Sequence, residues 1–208
     1  MAVRHGASAL GLVGHMPSGP GVIGDDLIAG IAAAAPPAVA TFLLTSETEP
    51  DAIIDHVRRC GTSTVQLVDA VDPSAYPTLR RGLPHVKIVQ VIHVTGPESV
   101  DEAKACASMV DALLLDSGQP KAAVKELGGT GRVHDWSLSR RIVAEVRRPV
   151  FLAGGLNPGN AAEASKAVEP FGLDLCTGVR TDGKLDAAKL KAFFRGAPAR
   201  CLTRGRTL

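Results

Sequence analysis

Aromatic side chains are scarce in this chain: five Phe, one Trp and one Tyr make up 3% of its 208 residues. The core must therefore be built from Val, Leu, Ile and Ala, which is the composition expected of parallel strands covered by helices. The length suits one domain with a well-buried core, or a single short α/β barrel. We expect a soluble α/β enzyme or binding domain.

Long apolar runs and an excess of one charge are missing too. No run approaches the roughly 20 apolar residues that span a bilayer, and no secretory signal is visible. The formal net charge is +2, with acidic and basic residues interspersed. This balance predicts neither nucleic acid nor a membrane as a partner. We therefore expect a cytoplasmic protein.

The cysteines have no spacing typical of a metal site. The four are Cys60, Cys106, Cys176 and Cys201, and they form no CxxC pair and no Cys/His ligand pattern. Reduced thiols are the default for such a chain. We expect no metal centre and no cofactor.

Short β-branched runs recur along the chain, each followed by a longer amphipathic stretch. We predict seven strands: Ala9–Val13, Val39–Thr45, Thr64–Asp69, Lys87–Val94, Ala112–Ser117, Val150–Ala153 and Leu173–Thr177. Such alternation predicts a parallel sheet of βαβ units. A repeat of about 25 residues suits a barrel, although a doubly wound open sheet alternates in the same way. We expect one domain over residues 1–195 and a basic tail over residues 196–208.

One predicted strand ends on a carboxylate. Asp116 follows the apolar run that begins at Ala112, and a glycine-rich stretch, Gly128–Gly131, comes after a long connection. Barrel enzymes carry their chemistry at the carboxyl ends of the strands. A carboxyl group shielded there has a raised pKa, which suits a general acid. We therefore interpret Asp116 as a candidate acid.

Two glycine turns follow the last two predicted strands. In the first, Gly154-Gly155 precedes Asn157 and Pro158, which we interpret as the N-cap and first residue of a helix. A helix amino terminus offers free N–H groups and a positive dipole end to a phosphate. The second turn contains Gly178, beyond Asp174. Phosphate sites in barrels recur at these two loops, so the pairing favours the barrel.

With these motifs the sequence resembles the phosphoribosylanthranilate isomerase family over nearly the whole chain. The matching words are Leu114–Ser117, Gly128–Gly131, Asp135-Trp136, Leu152–Pro158, Asp174, Gly178-Val179, Val65–Leu67 and Ala7–Val13. The resemblance implies a (β/α)8 barrel with Asp116 as general acid and Asp174 near the sugar. It implies that backbone amides around Gly129, Gly155, Asn157 and Gly178 bind a phosphate.

The resemblance also implies an activity. The family's enzyme is an aldose–ketose isomerase, an intramolecular oxidoreductase of tryptophan and aromatic amino acid biosynthesis. It converts N-(5-phosphoribosyl)anthranilate, an aminoaldose phosphate, into an aminoketose phosphate. The expected partner is thus a phosphorylated sugar, bound by a monomer or a homodimer.

The chain departs from the family in the half of the site that the resemblance assigns to the anthranilate group. The family's base is a cysteine in a Lys-x-Cys-Gly word on its first strand, whereas this chain begins with what we interpret as a helix end, closed by Gly6. We expect that the first strand and most of the first helix are absent from the barrel. Pro20, Val68 and Gln90 stand where the family has arginine, histidine and lysine, and all three are expected to line the mouth.

Two side chains are candidates to replace the missing base. Cys176 shares a face with Asp174 if both belong to the last strand, because side chains alternate along a strand. His93 lies near the end of the fifth strand in family order and could line the mouth. A small core-facing cysteine and a hydrogen-bonded histidine are the structural alternatives.

Three functions stay open on this sequence. The chain is an isomerase of this family, truncated or divergent, or a paralogue that binds a sugar phosphate without isomerising it. The third is an interaction module that uses exposed sheet edges, because open edges pair readily with other chains.

Overall fold

The computed structural model describes residues 1–17, 20–118 and 134–196. Its centre is a curled parallel sheet of seven strands that pair in chain order. They are β1 Ala9–Val13, β2 Ala40–Thr45, β3 Thr64–Leu67, β4 Lys87–His93, β5 Ala112–Asp116, β6 Val150–Leu152 and β7 Gly172–Leu173. All seven predicted strands are present, and the barrel-type architecture is confirmed.

Helices alternate with the strands. They are α1 Ala2–His5, α2 Asp25–Ala34, α3 Pro50–Cys60, α4 Ala75–Gly82, α5 Glu98–Ala107, α6 Trp136–Glu145, α7 Ala161–Val168 and α8 Ala187–Gly196. A 3₁₀ turn, Thr177–Val179, and a short hairpin of β8 Arg180–Thr181 and β9 Lys184–Leu185 stand between β7 and α8. No helix within the described ranges is long and apolar enough to cross a membrane.

Glycines close two of these helices. Gly6 follows α1 with φ 111°, and Gly61 follows α3 with φ 64°. Both values lie in the left-handed region, which a residue without Cβ adopts at little cost. The predicted helix end before β1 is therefore confirmed.

Side chains of the sheet alternate between two apolar cores. On β5, Leu113 and Leu115 pack with helix residues in the outer core, whereas Ala112 and Leu114 belong to a smaller core made mostly of strand residues. The smaller core also contains Val68, Val89, Val91 and Ala153. Asp116 shares the face of Ala112 and Leu114, because successive side chains point to opposite faces. Its carboxyl group therefore lies on the inner face of the sheet.

The register of the strands aligns their carboxyl ends. Leu115 on β5 pairs with Leu152 on β6, which pairs with Leu173 on β7. The amide of Asp174 continues this ladder with a 2.8 Å hydrogen bond to the Leu152 carbonyl. Asp116 and Asp174 are thus each one residue beyond the same row. They follow β5 and β7, and alternate strands of a barrel contribute side chains to the same interior layer.

The last strand is shorter than predicted. We expected Leu173–Thr177, but β7 contains Gly172–Leu173 and a 3₁₀ turn starts at Thr177. Cys176 has φ −124° and ψ −79°, outside the strand region, so the ladder cannot continue through it.

Candidate active site

Asp116 is a buried acid at the end of β5. The residue is 8% exposed, and its Oδ1 accepts a 2.7 Å hydrogen bond from the Ser117 amide. Burial raises the pKa of the Asp116 carboxyl group, because the charged form loses its hydration; the Ser117 amide and the neighbouring His93 act in the opposite direction. The raised pKa favours the protonated form of this group.

Asp174 is the second carboxyl group of the site. Asp174 follows Gly172 by two residues, so the two positions share a face of the chain. A Cβ atom on Gly172 would contact Phe151, which packs against the inner core, so the Asp174 side chain points inward. Burial, with the charge of Asp116 as a further cause, raises the pKa of Asp174 to about 6. Two close carboxylates resist double ionisation. The two carboxyl groups are therefore coupled, and ionisation of one opposes ionisation of the other.

His93 lies beside Asp116 on the adjacent strand. The two residues pair in the register of β4 and β5, and His93 is 8% exposed. Its Nε2 lies 2.9 Å from the Val68 carbonyl oxygen. Because a carbonyl only accepts, Nε2 carries a hydrogen and donates it to the Val68 carbonyl. Within the described part of the chain, Nδ1 has no hydrogen-bond partner.

Cys176 lies close to both carboxyl groups. Its thiol has a raised pKa, mainly through burial, with the charges of Asp174 and Asp116 adding to the shift and the guanidinium of Arg180 opposing it. The structure thus brings Cys176 to the site. Its thiol is protonated at neutral pH and is a poor base.

Sequence reasoning missed His134 and Ser117. A Cβ atom on Gly154 would lie 2.9 Å from Ser117 Oγ and 3.1 Å from His134 Nδ1, so these groups enclose the turn. His134 Nε2 lies 2.6 Å from Ser139 Oγ, and burial lowers the His134 pKa to about 4. The ring is therefore neutral at pH 7. Gly154 has φ +82°. The Gly154-Gly155 pair is compatible with such a turn, but it does not predict the contacts with Ser117 and His134.

The two glycine turns meet. A Cβ atom on Gly178 would overlap the Leu156 carbonyl oxygen and lie 3.0 Å from the Asn157 Cα atom. Both turns line a depression of about 620 Å³, with Asn157, Pro158, Thr177 and Gly178 on one side and Ala188, Lys189 and Ala192 of α8 on the other. No described residue accepts a hydrogen bond from the amide of Gly155 or Gly178.

The helix after the first turn starts later than predicted. Asn160, not Asn157, is the N-cap, and α7 begins at Ala161. The Asn157 side chain accepts from the Gly159 amide at 2.8 Å, and the Asn157 amide donates to Asn160 Oδ1 at 2.8 Å. These local bonds compete with helical ones and hold a turn instead. The Asn157 amide is therefore already occupied.

Gln90 does not line the mouth, contrary to our expectation. Its side chain bonds to the Leu67, Asp69 and Val91 carbonyls and accepts from the Tyr76 hydroxyl at 3.0 Å. Tyr76 belongs to α4 and to the outer core, so Gln90 faces the helices. Val68 does lie in the inner core. Pro20 is exposed in the loop after β1.

A separate polar cluster links α2 to α3. Donor atoms of Asp25, His56 and Cys60 lie within 4.8 Å of one another. The Asp25 carboxylate is 3.1 Å from His56 Nε2 and 3.2 Å from Arg59 Nε, so both of its oxygens are already paired. The absence of a metal stays a prediction.

Some of the residues named in the sequence analysis lie outside the part of the chain that the structure describes. Gly129 and its neighbours Gly128–Gly131 lie in residues 119–133, outside the described residues, and so does Cys201 in residues 197–208.

The fold and the site define a class. A curled parallel sheet with two carboxyl groups of raised pKa at its carboxyl edge is typical of a barrel enzyme that works by proton transfer.

Comparison with known proteins narrows this class. Residues 32–196 match the family model for N-(5'phosphoribosyl)anthranilate (PRA) isomerase. The chain is 38% identical to N-(5'-phosphoribosyl)anthranilate isomerase 2 of Methanosarcina mazei, over 95% of this chain and 87% of that protein. It is 37% identical to the Halobacterium salinarum isomerase, over 95% and 89% of the two chains. The chain belongs to the N-(5'-phosphoribosyl)anthranilate isomerase family.

Solved structures agree with this assignment. The phosphoribosyl anthranilate isomerase of Thermotoga maritima superposes with a TM-score of 0.78 at 28% identity, covering 94% of this chain and 90% of that one. The Thermus thermophilus enzyme gives a TM-score of 0.77 at 26% identity, covering 93% and 89%. A third structure, with a TM-score of 0.75 at 26% identity over 94% and 90% of the chains, contains reduced 1-(o-carboxyphenylamino)-1-deoxyribulose 5-phosphate.

Proposed function

We propose that this protein isomerises N-(5'-phosphoribosyl)anthranilate, an aminoaldose phosphate, to the corresponding aminoketose phosphate. The observation that carries the proposal is the pair formed by Asp116 and Asp174, two inward carboxyl groups with raised pKa values at the carboxyl edge of the sheet. An aldose–ketose isomerisation needs one acid and one base. Relatives across the family carry this activity in their names.

Asp116 acts as the general acid in this proposal. It donates its proton to the ribose ring oxygen, the bond from that oxygen to C1 breaks, and the amino nitrogen supplies the electron pair that forms a protonated imine. The buried carboxyl group suits this step because its raised pKa favours the protonated form that donates. It becomes a carboxylate as the ring opens.

Asp174 is the better of the available bases for the second step. The base removes the proton from C2, and the resulting electron pair neutralises the imine and gives an enolamine, which becomes the ketone. Asp174 is half-buried and has a pKa of about 6, so it is ionised at neutral pH. The Cys176 thiol is protonated, because its pKa is raised, so we assign Cys176 to substrate contact rather than proton removal. We assign His93 to substrate contact as well, through the Nδ1 atom that has no partner among the described residues.

The two glycine turns bind the phosphate in this proposal. The free amides of Gly155 and Gly178 are the described donors, and Gly129 is a further one on the grounds of the family resemblance. Asn157 contributes through the shape of its turn, since its own amide bonds to Asn160. Backbone N–H groups gathered at turns make concave anion sites.

The remaining properties follow from this chemistry. Every step is a proton transfer, so the reaction needs no cofactor and no metal. We propose one domain over residues 1–195 with a basic tail over residues 196–208, working in the cytoplasm, where phosphorylated sugars are retained. A monomer and a homodimer both fit the proposal; a Thermotoga maritima relative is described as dimeric.

A direct isomerase assay on the full chain tests the function. We expect purified protein to convert the aminoaldose phosphate, and expression of the gene to rescue a tryptophan auxotroph that lacks the isomerase. If the protein shows neither turnover nor rescue but binds ribose 5-phosphate in calorimetry, the sugar-phosphate-binding paralogue is favoured. If turnover, rescue and ribose 5-phosphate binding are all absent, the interaction module is favoured.

A further inference from the structure

Three side chains of metal-binding type meet where α2 packs against α3. His56 and Cys60 lie four residues apart on α3, so both project from the same face of that helix. Asp25 begins α2. A carboxylate oxygen, an imidazole nitrogen and the thiol sulfur of these residues lie within 4.8 Å of one another. Because 31 residues separate Asp25 from His56, no spacing in the sequence reveals the cluster.

The separations are close to those of a tetrahedral metal site. Asp25 Oδ1 lies 3.1 Å from His56 Nε2. With zinc bonds of roughly 2.0 Å to nitrogen and oxygen and 2.3 Å to sulfur, neighbouring ligand atoms of a tetrahedron lie about 3.3–3.6 Å apart. A divalent ion therefore fits in place of the hydrogen between Nε2 and Oδ1 after small side-chain movements.

The His56 ring is held in position for such an ion. Its Nδ1 lies 3.3 Å from the hydroxyl oxygen of Thr45, at the end of β2. A Cβ atom on Gly14 would lie 2.8 Å from ring Cε1, so the ring occupies space that a side chain at position 14 would fill. Histidines that bind metal through one nitrogen use the other in a hydrogen bond that fixes the ring, and Thr45 supplies that partner here.

Solvent reaches the cluster from one side. Cys60 is fully buried and the His56 side chain nearly so, whereas the Asp25 side chain is 36% exposed. An ion thus enters past Asp25, and water completes its coordination. Arg59 Nε pairs with the second Asp25 oxygen, Oδ2, at 3.2 Å, which leaves Oδ1 to the ion. A thiolate combined with imidazole selects zinc-like ions over magnesium and calcium.

We propose that Asp25, His56 and Cys60 bind one zinc-like divalent cation, with water as the fourth ligand, against the metal-free chain expected from the cysteine spacing. On binding, the Cys60 thiol releases its proton to solvent and becomes a thiolate. The ion clamps α2 to α3 on the helix side of the sheet. Asp116 and Asp174 face the inner side, so the proposal does not depend on the proposed function.

Cobalt(II) is the probe, because a thiolate ligand gives it a charge-transfer absorption band that nitrogen and oxygen ligands do not. The full chain is dialysed against a chelator under reducing conditions and then titrated with Co²⁺. We expect one Co²⁺ per chain, the thiolate band, and loss of that band when Zn²⁺ is added. At free Zn²⁺ about 100-fold above its Kd, Tm should rise by about 5–10 °C.

Two substitutions locate the ion. Cys60→Ser should abolish the thiolate band and raise the Kd for Co²⁺ at least about 100-fold, more than the loss of an outer hydrogen-bond partner usually costs. Cys106→Ser is the matched control, because Cys106 is also a buried helix cysteine but lies on α5 beside the Tyr76 hydroxyl. It should keep the band and the Kd. Thr45→Val should raise Kd about 10-fold, since it removes the partner of His56 Nδ1.

Three results would overturn the inference. A wild type that binds no Co²⁺ at submillimolar concentration would leave the cluster as a hydrogen-bonded network. Co²⁺ bound without the thiolate band, or a band retained in Cys60→Ser, would place the ion at other residues. If Cys60→Ser does not fold, Asp25→Asn at the half-exposed ligand decides: its Kd should rise at least about 10-fold, because a carboxamide is a weaker ligand than a carboxylate, and an unchanged Kd rejects the site.

Discussion

Gly178 lies directly against the peptide of Leu156, so that a Cβ atom on Gly178 would overlap the Leu156 carbonyl oxygen. This contact joins the turn after β6 to the turn after β7. Because the obstructing atoms belong to the backbone, they cannot move aside as a flexible side chain does. The absence of a side chain at position 178 is therefore what brings the two amide-bearing turns together.

Gly178→Val should separate these turns. We expect the Kd for ribose 5-phosphate to rise at least about 10-fold and the free energy of unfolding to fall by about 1–3 kcal/mol, since overpacking displaces the backbone. Calorimetry and urea titration measure the two effects. Gly30→Ala is the control: no atom lies within 4 Å of its Cβ position, and in the exposed middle of α2 it should stabilise by about 0.5–1 kcal/mol. Unchanged affinity in Gly178→Val would mean that the turns do not bind phosphate.

Asp116→Asn should abolish turnover. The amide cannot donate an acidic proton to the ring oxygen, so kcat should fall by about 10²–10⁴-fold, while the Kd for ribose 5-phosphate should stay within a few-fold. A steady-state assay beside calorimetry measures both. Asp55→Asn makes the same chemical change on the exposed face of α3 and should have no effect. Equal turnover in the wild type and Asp116→Asn would remove Asp116 from the mechanism.

Asp174→Asn should change the pH dependence of the reaction. A base works in its ionised form, so wild-type kcat/KM should rise with pH through the Asp174 pKa of about 6. The apparent value belongs to the coupled pair of carboxyl groups. In Asp174→Asn we expect kcat to fall about 10²-fold and the rise near pH 6 to disappear. Asp174→Glu should restore part of both. A normal rate for Asp174→Asn would exclude Asp174 as the base.

The same substitution should stabilise the protein at neutral pH. The folded pKa of Asp174 is raised above its unfolded value near 3.9, so the folded state loses stability as pH rises through about 6. Asn carries no proton to lose. The free energy of unfolding of Asp174→Asn should therefore exceed that of the wild type by an amount that grows between pH 4 and pH 7 and reaches about 1–3 kcal/mol.

Urea titrations at several pH values measure this gain. Asp25→Asn gives the opposite sign, because the Asp25 pKa is lowered in the fold by Arg59 and His56 against burial. That variant should lose stability above pH 4 and approach the wild type in stronger acid. A stability difference for Asp174→Asn that does not vary with pH contradicts the raised pKa.

Local patterns carried the fold prediction. The alternation of apolar runs and amphipathic stretches gave all seven strands, because strand periodicity and helix-ending glycines are set by neighbouring residues. The predicted placement of Asp116 at a strand end is also correct. Two predicted boundaries, the start of α7 and the end of β7, are wrong. Side chains of Asn157 and Asn160 compete for backbone bonds after β6, and the chain leaves the sheet after Leu173.

The sequence by itself determined the class of fold, the position of Asp116 at a strand end and the glycine turns, because each depends on residues a few positions apart. The curled sheet decided the rest. It brought the charge of Asp116 to Asp174, turned Gln90 toward α4, packed His134 against Gly154 and carried the guanidinium of Arg180 to Gly21. These partners are far apart in the chain, and their approach depends on strand register and sheet curvature, which no short sequence pattern records.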